Sequence, residues 1–275
     1  ISNTMVIANK VEEYNLKHDI ILPVFPIPEQ YANEFEYLKF LTYEGAKKRY
    51  PEINEEIKER LEMELDVIRT TGYAGYFLIV QDFISKAKEM GVLVGPGRGS
   101  AAGSAIAYCI GITNVDPIKF NLLFERFLNP ERQSMPDIDI DFDDLGRDNV
   151  IKYVIDKYGS EKVAQIVTFG TMGARSSIKD VARVLKLPLP EAERLTKLIP
   201  ETPVNITLQQ AFEDEPKLAF ERDNGSDIVK KTLKYATILE GSARQTGIHA
   251  CGVIIGPEDL INHVPLCMSK EPLIP

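Results

Sequence analysis

"MPDIDIDFDD", residues 135–144, is the stretch that decides the fold of this chain. Aspartates occupy every second position from 137 to 143, and Ile or Phe fills each position between them. A period of two predicts a β-strand, in which alternate side chains share a face about 6–7 Å apart. We therefore expect the aspartates to point one way and the apolar residues to point into a core.

The aspartates of this predicted strand need a source of positive charge. Carboxylates this close repel one another and raise one another's pKa values unless a cation lies between them. Hard divalent cations such as Mg²⁺ bind carboxylate oxygens, and two such ions can serve a phosphoryl displacement. A solvated acidic face is the alternative. A calcium loop fits poorly, because its sixth position would be Phe142 or Asp144 instead of glycine.

A glycine-rich loop, "GPGRGSAAGS" at residues 95–104, precedes the acidic stretch by about 40 residues. The pattern predicts a short strand at 92–94, the loop, and then a helix of small residues over 101–110. Such a junction offers backbone N–H groups to an anion, and Arg98 and Ser100 add further donors. The Walker and dinucleotide patterns both fail at position 100. A tight structural turn is the alternative to a phosphate site.

The rest of the chain alternates between two patterns. Helical periodicity and strand signals are mixed up to about residue 168, whereas only helical patterns occur between about 170 and 240. "CGVIIGP", at 251–257, is again typical of a strand. The sequence thus predicts an α/β (α+β) body that holds an all-helical insertion. The prolines of residues 22–30 predict a linker.

Composition excludes several classes of protein. The 275 residues carry a net charge of −9, so a purely electrostatic nucleic-acid binder is disfavoured. Three scattered cysteines form neither a disulfide framework nor a zinc pattern, which favours a reducing cytosol. No apolar run is long enough to predict a membrane span. The irregular ends of the sequence suggest part of a longer protein.

Six consecutive landmarks resemble those of C-family DNA polymerases, the bacterial replicative polymerase III alpha subunits. The resemblance is collinear and covers essentially the whole chain. The landmarks are "GYFLIVQDFI" (75–84), "GPGRGSAAGS" (95–104), "LLFERFLNPER" (122–132), "MPDIDIDF" (135–142), "VTFGTM" (167–172) and "HACGVII" (249–255).

The resemblance implies a domain organisation. Residues 1–24 would be the tail of a preceding PHP domain and a linker. Residues 25–168 would form the first part of a palm like that of polymerase-beta-type nucleotidyltransferases. Residues 169–246 would form a helical thumb, and residues 247–275 would return to the palm.

The resemblance also implies roles for individual residues. Asp137 and Asp139 would hold two catalytic Mg²⁺ ions, and whether Asp141 also binds metal is left undecided. A third carboxylate would lie beyond the end of the chain. Residues expected to position or neutralise the triphosphate of a dNTP are Arg98, Gly99, Ser100, Arg126 and Arg132. Ion pairing with nearby acids is the alternative for the three arginines.

A basic stripe offers a candidate DNA contact. Arg175, Lys179, Arg183 and Lys186 are spaced by four, four and three, so one helix would present them on one face. Such a stripe can follow backbone phosphates without reading bases. A solvated helix face is the alternative. His249 is interpreted as structural.

The function implied is template-directed DNA synthesis in bacterial chromosome replication, on primer-template DNA, in the cytoplasm. A sliding clamp and a proofreading exonuclease would bind outside these residues, and the chain is expected to be monomeric and inactive alone. Two alternatives remain: a smaller nucleotidyltransferase, and a non-catalytic DNA-binding module with a structural aspartate cluster.

Overall fold

The computed structural model describes residues 2–12, 21–129 and 135–268, and these residues belong to two compact units. One unit comprises residues 1–164 and 253–275, and the other comprises residues 165–252. The predicted Arg132 lies outside the described residues.

The first unit is mainly helical. A short helix α1 (Ser2–Ala8) is followed by a segment, residues 21–28, that has no regular structure, as its prolines predict. The remaining helices are α2 (Glu34–Arg49), α3 (Glu55–Thr71), α4 (Ala74–Glu89), α5 (Ala105–Cys109) and α6 (Arg147–Tyr158).

Helix α3 shows why the chain folds as its sequence predicts. The Asn54 side chain caps the helix by accepting a hydrogen bond from the Ile57 N–H (2.9 Å). Gly72 ends it in the left-handed conformation, with φ +75°. The apolar positions of α3 share one face and are buried, as are those of α4: Ile57, Leu61, Leu65 and Ile68 in α3, and Phe77, Val80, Ile84 and Ala87 in α4.

Helices α2 and α5 approach each other at Gly45. A Cβ atom at this position would lie 2.0 Å from the Cys109 carbonyl oxygen, so only glycine permits the contact. The close approach fixes α5 against the core, directly after the glycine loop.

Cys109 is buried at this contact, whereas Cys251 and Cys267 are exposed. Burial raises the pKa of the Cys109 thiol to about 12, which leaves almost no thiolate near neutral pH. We expect a thiol-alkylating reagent at pH 8 to label the two exposed cysteines of the native chain rapidly and Cys109 only after denaturation. Peptide mass spectrometry measures this, and rapid native labelling of Cys109 would contradict the packing described.

The predicted strand at 137–143 is wrong as a regular strand. Residues 135–141 form no regular secondary structure, and the segment makes one isolated antiparallel bridge, between Phe142 and Val94. The predicted strand at 92–94 is reduced to the same bridge. The apolar side is nevertheless anchored, because Ile138 and Ile140 pack on the core and Phe142 contacts the Phe83 ring.

The second unit is a helical cluster that also contains most of two long strands. Its helices are α7 (Ala174–Leu185), α8 (Leu189–Lys197), α9 (Leu208–Asp214), α10 (Pro216–Asn224) and α11 (Asp227–Leu239). They pack around a separate core that includes Ile178, Leu195 and Leu233. Strands β1 (Val163–Thr171) and β2 (Ala243–Ile255) pair with each other in a two-stranded sheet.

The coarse prediction of mixed helix and strand is therefore confirmed. The strand predicted at "CGVIIGP", residues 251–257, overlaps β2, which begins earlier, at Ala243. Strand β1, which precedes the five helices in sequence, was not predicted. None of the helices in the described ranges is long and apolar enough to span a membrane.

Candidate active site

The acidic segment lies beside the glycine loop, although about 40 residues separate them in sequence. The Gly95 N–H donates to the Asp141 carbonyl oxygen (2.8 Å), and the Asp143 N–H donates to the Leu93 carbonyl oxygen (3.1 Å). These bonds flank the Val94–Phe142 bridge. The backbone itself thus holds the two motifs together.

Arg98 joins the two motifs through its side chain. Its Nη1 lies 3.0 Å from Asp139 Oδ2, and its Nε lies 3.2 Å from Asp141 Oδ1. Asp139 and Asp141 therefore share a face, as the alternation predicts. A guanidinium group occupies the place where the sequence predicts a need for positive charge.

The glycines next to Arg98 are required by the backbone. Gly97 and Gly99 have φ values of +96° and +68°, which side-chain-bearing residues rarely adopt. A Cβ on Gly99 would lie 3.2 Å from Asp139 Oδ2. Gly99 and Ser100 begin a 3₁₀ turn that runs to Gly103, so the Gly-Ser pair lies directly at the carboxylates.

Tyr76, from α4, supports the acidic segment from the other side. Its hydroxyl oxygen accepts a hydrogen bond from the Ile138 N–H, and the carboxylates of Asp137 and Asp139 are near enough to act on it. Burial, together with these charges, raises the pKa of Tyr76 to about 12. Tyr76 thus holds the backbone between the two predicted metal ligands.

The predicted helix over 101–110 is wrong in extent, and the N-terminus of the observed helix is not open to an external anion. Helix α5 has only five residues and begins at Ala105. The buried Glu64 carboxylate occupies its N-terminus, accepting hydrogen bonds from the Ala105 and Ile106 N–H groups (2.9 and 3.1 Å). Phosphate binding at this loop would therefore rest on the turn at Gly97–Ser100.

Glu64 has two further donors, the Ser104 hydroxyl (2.8 Å) and Arg60 Nε (2.7 Å). Burial raises the pKa of the Glu64 carboxyl, and the surrounding donors act in the opposite direction. Arg60 also donates to the carbonyl oxygens of Gly103 and Leu122. The Arg60–Glu64 pair thus fastens the segment that follows the glycine loop.

Other predicted residues are less closely tied to this site. Arg126 is exposed in a 3₁₀ turn, Phe124–Arg126. Asp143 lies next to the bridge and before the turn at 144–146, and its carboxylate accepts a hydrogen bond from the Leu93 N–H (2.6 Å). Asp144 is exposed in the turn that follows.

The donor chemistry at the site fits a hard divalent cation. Asp137 and Asp139 are consecutive residues of one face by sequence, and both present carboxylate oxygens at least partly to solvent. Within residues 2–12, 21–129 and 135–268, no cluster of three or more acidic, histidine or cysteine side chains is arranged around a common metal position. The metal assignment stays a prediction that rests on two carboxylates.

In the second unit, the basic stripe is only partly available to a ligand. Arg175 is engaged within the unit, because it donates to the Ile199 and Pro200 carbonyl oxygens just after α8 (2.8 and 3.2 Å). Arg183 lies 3.6 Å from the Asp180 carboxylate. Lys186 lies just outside α7 as its left-handed C-cap, so the four residues do not share one helix as predicted.

Lys179 and Lys186 are exposed, and neither forms an ion pair within the part of the chain that the structure describes. They are the members of the stripe whose charge is most available to DNA. The DNA role of the stripe remains a prediction.

His249 is a structural residue, as interpreted from the sequence. Its Nδ1 accepts hydrogen bonds from the Cys251 and Gly252 N–H groups (3.1 and 2.9 Å). A ring nitrogen used in this way stabilises the local backbone of β2.

Tyr76 and Glu64 are the site residues that the sequence reasoning missed. Glu64 carried a usable signal, because it lies on the apolar face of α3 between Leu61 and Leu65. An acid on a buried face requires partners. Tyr76 carried no comparable signal, since its partner is a backbone N–H more than 60 residues away.

Comparison with known proteins places these features in a family. Residues 36–273 match the model described as the bacterial DNA polymerase III alpha NTPase domain. The chain is 47% identical over 268 residues to DNA polymerase III subunit alpha of Borreliella burgdorferi, covering 97% of this chain and 23% of the relative.

Two further relatives carry the same name. The subunit of Bacillus subtilis is 48% identical over 250 residues (91% of this chain, 22% of the relative). That of Escherichia coli K12 is 45% identical over 281 residues (98% and 24%). The chain spans about a quarter of the length of the relatives it matches. The resemblance inferred from the motifs is thereby confirmed, and the chain belongs to the bacterial DNA polymerase III alpha family.

Proposed function

We propose that this segment supplies the metal-binding carboxylates and the nucleotide-binding loop for template-directed DNA synthesis. One observation carries the proposal: the contact of Arg98 with Asp139 and Asp141 brings the Gly-Ser turn and the acidic segment together. The relatives' name, DNA polymerase III subunit alpha, supports the choice of DNA synthesis over other nucleotidyl transfers. The first unit would be a palm of the polymerase-beta type, and the helical part of the second a thumb.

In this proposal, the reaction joins a primer 3′-hydroxyl to the α-phosphate of a dNTP and releases pyrophosphate. Asp137 and Asp139 would hold Mg²⁺, which supplies Lewis acidity and neutralises phosphate charge. The turn at Gly97–Ser100 would position the triphosphate through backbone N–H groups and the Ser100 hydroxyl. Arg98 and Arg126 would neutralise its negative charge, with Arg132 as a further candidate. Tyr76 would hold the backbone between the two ligands.

Other roles belong to the longer proteins of the family. A third carboxylate and the residues that grip the template would lie outside this chain, which would then be inactive alone. Contacts with a sliding clamp and an exonuclease would also lie outside it. The protein would act in the bacterial cytoplasm as a monomer on primer-template DNA.

Substitution of Gly99 tests the nucleotide-binding turn. Gly99→Ala places a Cβ 3.2 Å from Asp139 Oδ2 and forces a non-glycine residue to φ +68°. We expect about a three- to tenfold rise in KM for dNTP, equivalent to about 1 kcal/mol of backbone strain at the turn. Primer extension by a chain extended to the relatives' length measures this, alongside the Kd for DNA, which should be unchanged.

Gly72→Ala is the matched control. Gly72 has a similar φ of +75°, but nothing lies within 4 Å of the added Cβ and α3 ends there. It should lower stability without changing KM. An equal rise in KM in both variants would show that the turn at Gly99 has no specific role in nucleotide binding.

Charge reversal at Lys179 and Lys186 tests the DNA contact. If both contact phosphates, Lys179→Glu with Lys186→Glu should weaken DNA binding and lower the slope of log K against log salt by about 1.8. These residues are preferred over Arg175, whose loss would also remove its hydrogen bonds to the segment that follows α8. Fluorescence anisotropy across a salt series, on the 275-residue chain, measures both quantities.

Lys231→Glu with Lys234→Glu on α11 is the control, because it changes the net charge of the same unit equally. Its salt slope should match that of the wild type. Equal losses in the two double variants would show a general charge effect and would reject the stripe.

One observation favours a second candidate, a DNA-binding module with a structural aspartate cluster. Arg98 already provides counter-charge for Asp139 and Asp141. That candidate predicts that Asp137→Asn and Asp139→Asn leave the metal affinity of the chain unchanged, whereas the catalytic proposal predicts a loss.

A further inference from the structure

Arg98 makes two ion pairs at the site proposed to bind metal and triphosphate. It contacts Asp139 through Nη1 and Asp141 through Nε, so each carboxylate uses a different nitrogen. All three side chains are solvent-accessible: 57% of Arg98, 39% of Asp139 and 58% of Asp141 is exposed. Exposed pairs are weak and exchange readily.

These contacts create a conflict with metal binding. The guanidinium is charged at every accessible pH, so it cannot leave Asp139 by losing a proton. A divalent cation on Asp139 would meet this fixed positive charge within a few ångströms, and the two cations repel. Metal at Asp139 and Arg98 at Asp139 are therefore competing arrangements.

We propose that Arg98 is an exchangeable counter-ion of the active site, and that Asp141 is the positioning residue that retains it. On metal binding, Arg98 gives up Asp139 but keeps Asp141, which leaves its Nη groups directed to an incoming phosphate. The inference rests on the proposed function. It gives Asp141 a separate role, whereas the sequence left open whether Asp141 binds metal.

The local structure supports this exchange. Arg98 lies between two glycines with positive φ, Gly97 and Gly99, so the backbone that carries it has no flanking side chains. The backbone of Asp141 is held in place, because its carbonyl oxygen accepts the Gly95 N–H at 2.8 Å. A carboxylate on this anchored backbone is suited to keep the guanidinium nearby after metal displaces Arg98 from Asp139.

Mn²⁺ binding to the nucleotide-free 275-residue chain, followed by electron paramagnetic resonance, tests the competition. Arg98→Gln should bind Mn²⁺ about two- to fivefold more tightly than the wild type, the effect of removing an exposed ion pair. Arg98→Lys should show a smaller gain, because a point charge cannot pair with both carboxylates as a fork does. An unchanged or weaker affinity in Arg98→Gln would overturn the proposal.

A double-mutant cycle separates positioning from ligation by Asp141. If Asp141 acts through Arg98, then Asp141→Asn should not change Mn²⁺ affinity when Arg98→Gln is already present. A loss of affinity from Asp141→Asn in both backgrounds would make Asp141 a metal ligand and overturn its positioning role.

Asp139→Asn distinguishes failure of this inference from failure of the proposed function. Weaker Mn²⁺ binding in Asp139→Asn with no gain in Arg98→Gln would leave the metal site standing and reject the exchange. Unchanged binding in Asp139→Asn would reject the metal site, and the exchange with it.

Discussion

Asp137→Ala and Asp139→Ala are each expected to reduce primer extension by about 10³-fold or more, in a chain extended to the relatives' length. Each removes a carboxylate that would hold Mg²⁺ against the phosphate. The folded state should be retained, because both side chains are at least partly exposed and the apolar residues between them keep the segment on the core. Single-turnover extension and circular dichroism measure the two effects.

Asp144→Ala is the matched control for these substitutions. Asp144 lies in the same acidic stretch but is exposed in the turn that follows it. Its removal changes the net charge equally and should leave the extension rate within about twofold of the wild type, because a surface substitution rarely disturbs a site it does not touch. Full activity of a folded Asp139→Ala variant would reject the assignment of the metal ligands.

Glu64→Ala is expected to lower the free energy of unfolding by about 3–5 kcal/mol. The substitution leaves Arg60 without its carboxylate and the N–H groups of Ala105 and Ile106 without an acceptor, all in a largely buried setting. The turn that precedes α5 would lose its anchor. Urea denaturation, with hydrogen exchange at residues 105 and 106, measures the effect.

Glu62→Ala is the control, since Glu62 is an exposed residue of the same helix. It should change stability by less than about 0.5 kcal/mol. Glu64→Gln keeps the shape of the side chain, and should cost about 1–3 kcal/mol because an amide nitrogen would face hydrogen-bond donors. If the urea concentration at the midpoint of unfolding is the same for Glu64→Ala and the wild type, the Arg60–Glu64 pair does not anchor the loop.

The helices could be predicted from the sequence because their signals are local. Helix α3 is specified by a cap at Asn54, an apolar face and a glycine stop at Gly72, and all three act within about 18 residues. Helix α2 likewise begins at a capping side chain, since Asn33 accepts a hydrogen bond from the Glu36 N–H.

The acidic segment could be predicted only in part. Alternation of Asp with Ile and Phe correctly indicates an apolar side that packs on the core and an acidic side that shares one counter-ion. It does not indicate whether partner strands lie alongside, because strand pairing depends on residues distant in sequence. The single bridge to Val94 is such a distant property.

In the candidate site, too, local features could be predicted and contacts between distant residues could not. Its ligands and its loop follow from residue types and spacing, whereas the contacts that organise them do not. The pairing of Arg98 with Asp139 and Asp141 spans more than 40 residues, and so does the Glu64 cap of α5. Arg98 places a positive charge where the sequence predicted a metal ion, and Glu64 places a negative charge where it predicted a phosphate.

Paramagnetic broadening by Mn²⁺ tests the central claim most directly, namely that Asp137 and Asp139 form a metal site at the Gly-Ser turn. At low Mn²⁺ concentration, the backbone amide resonances of residues 137–139, together with those of Gly99 and Ser100, should broaden before others. Asp137→Asn with Asp139→Asn should abolish this early broadening. Sharp resonances at residues 137–139 while other acidic regions broaden would contradict the claim.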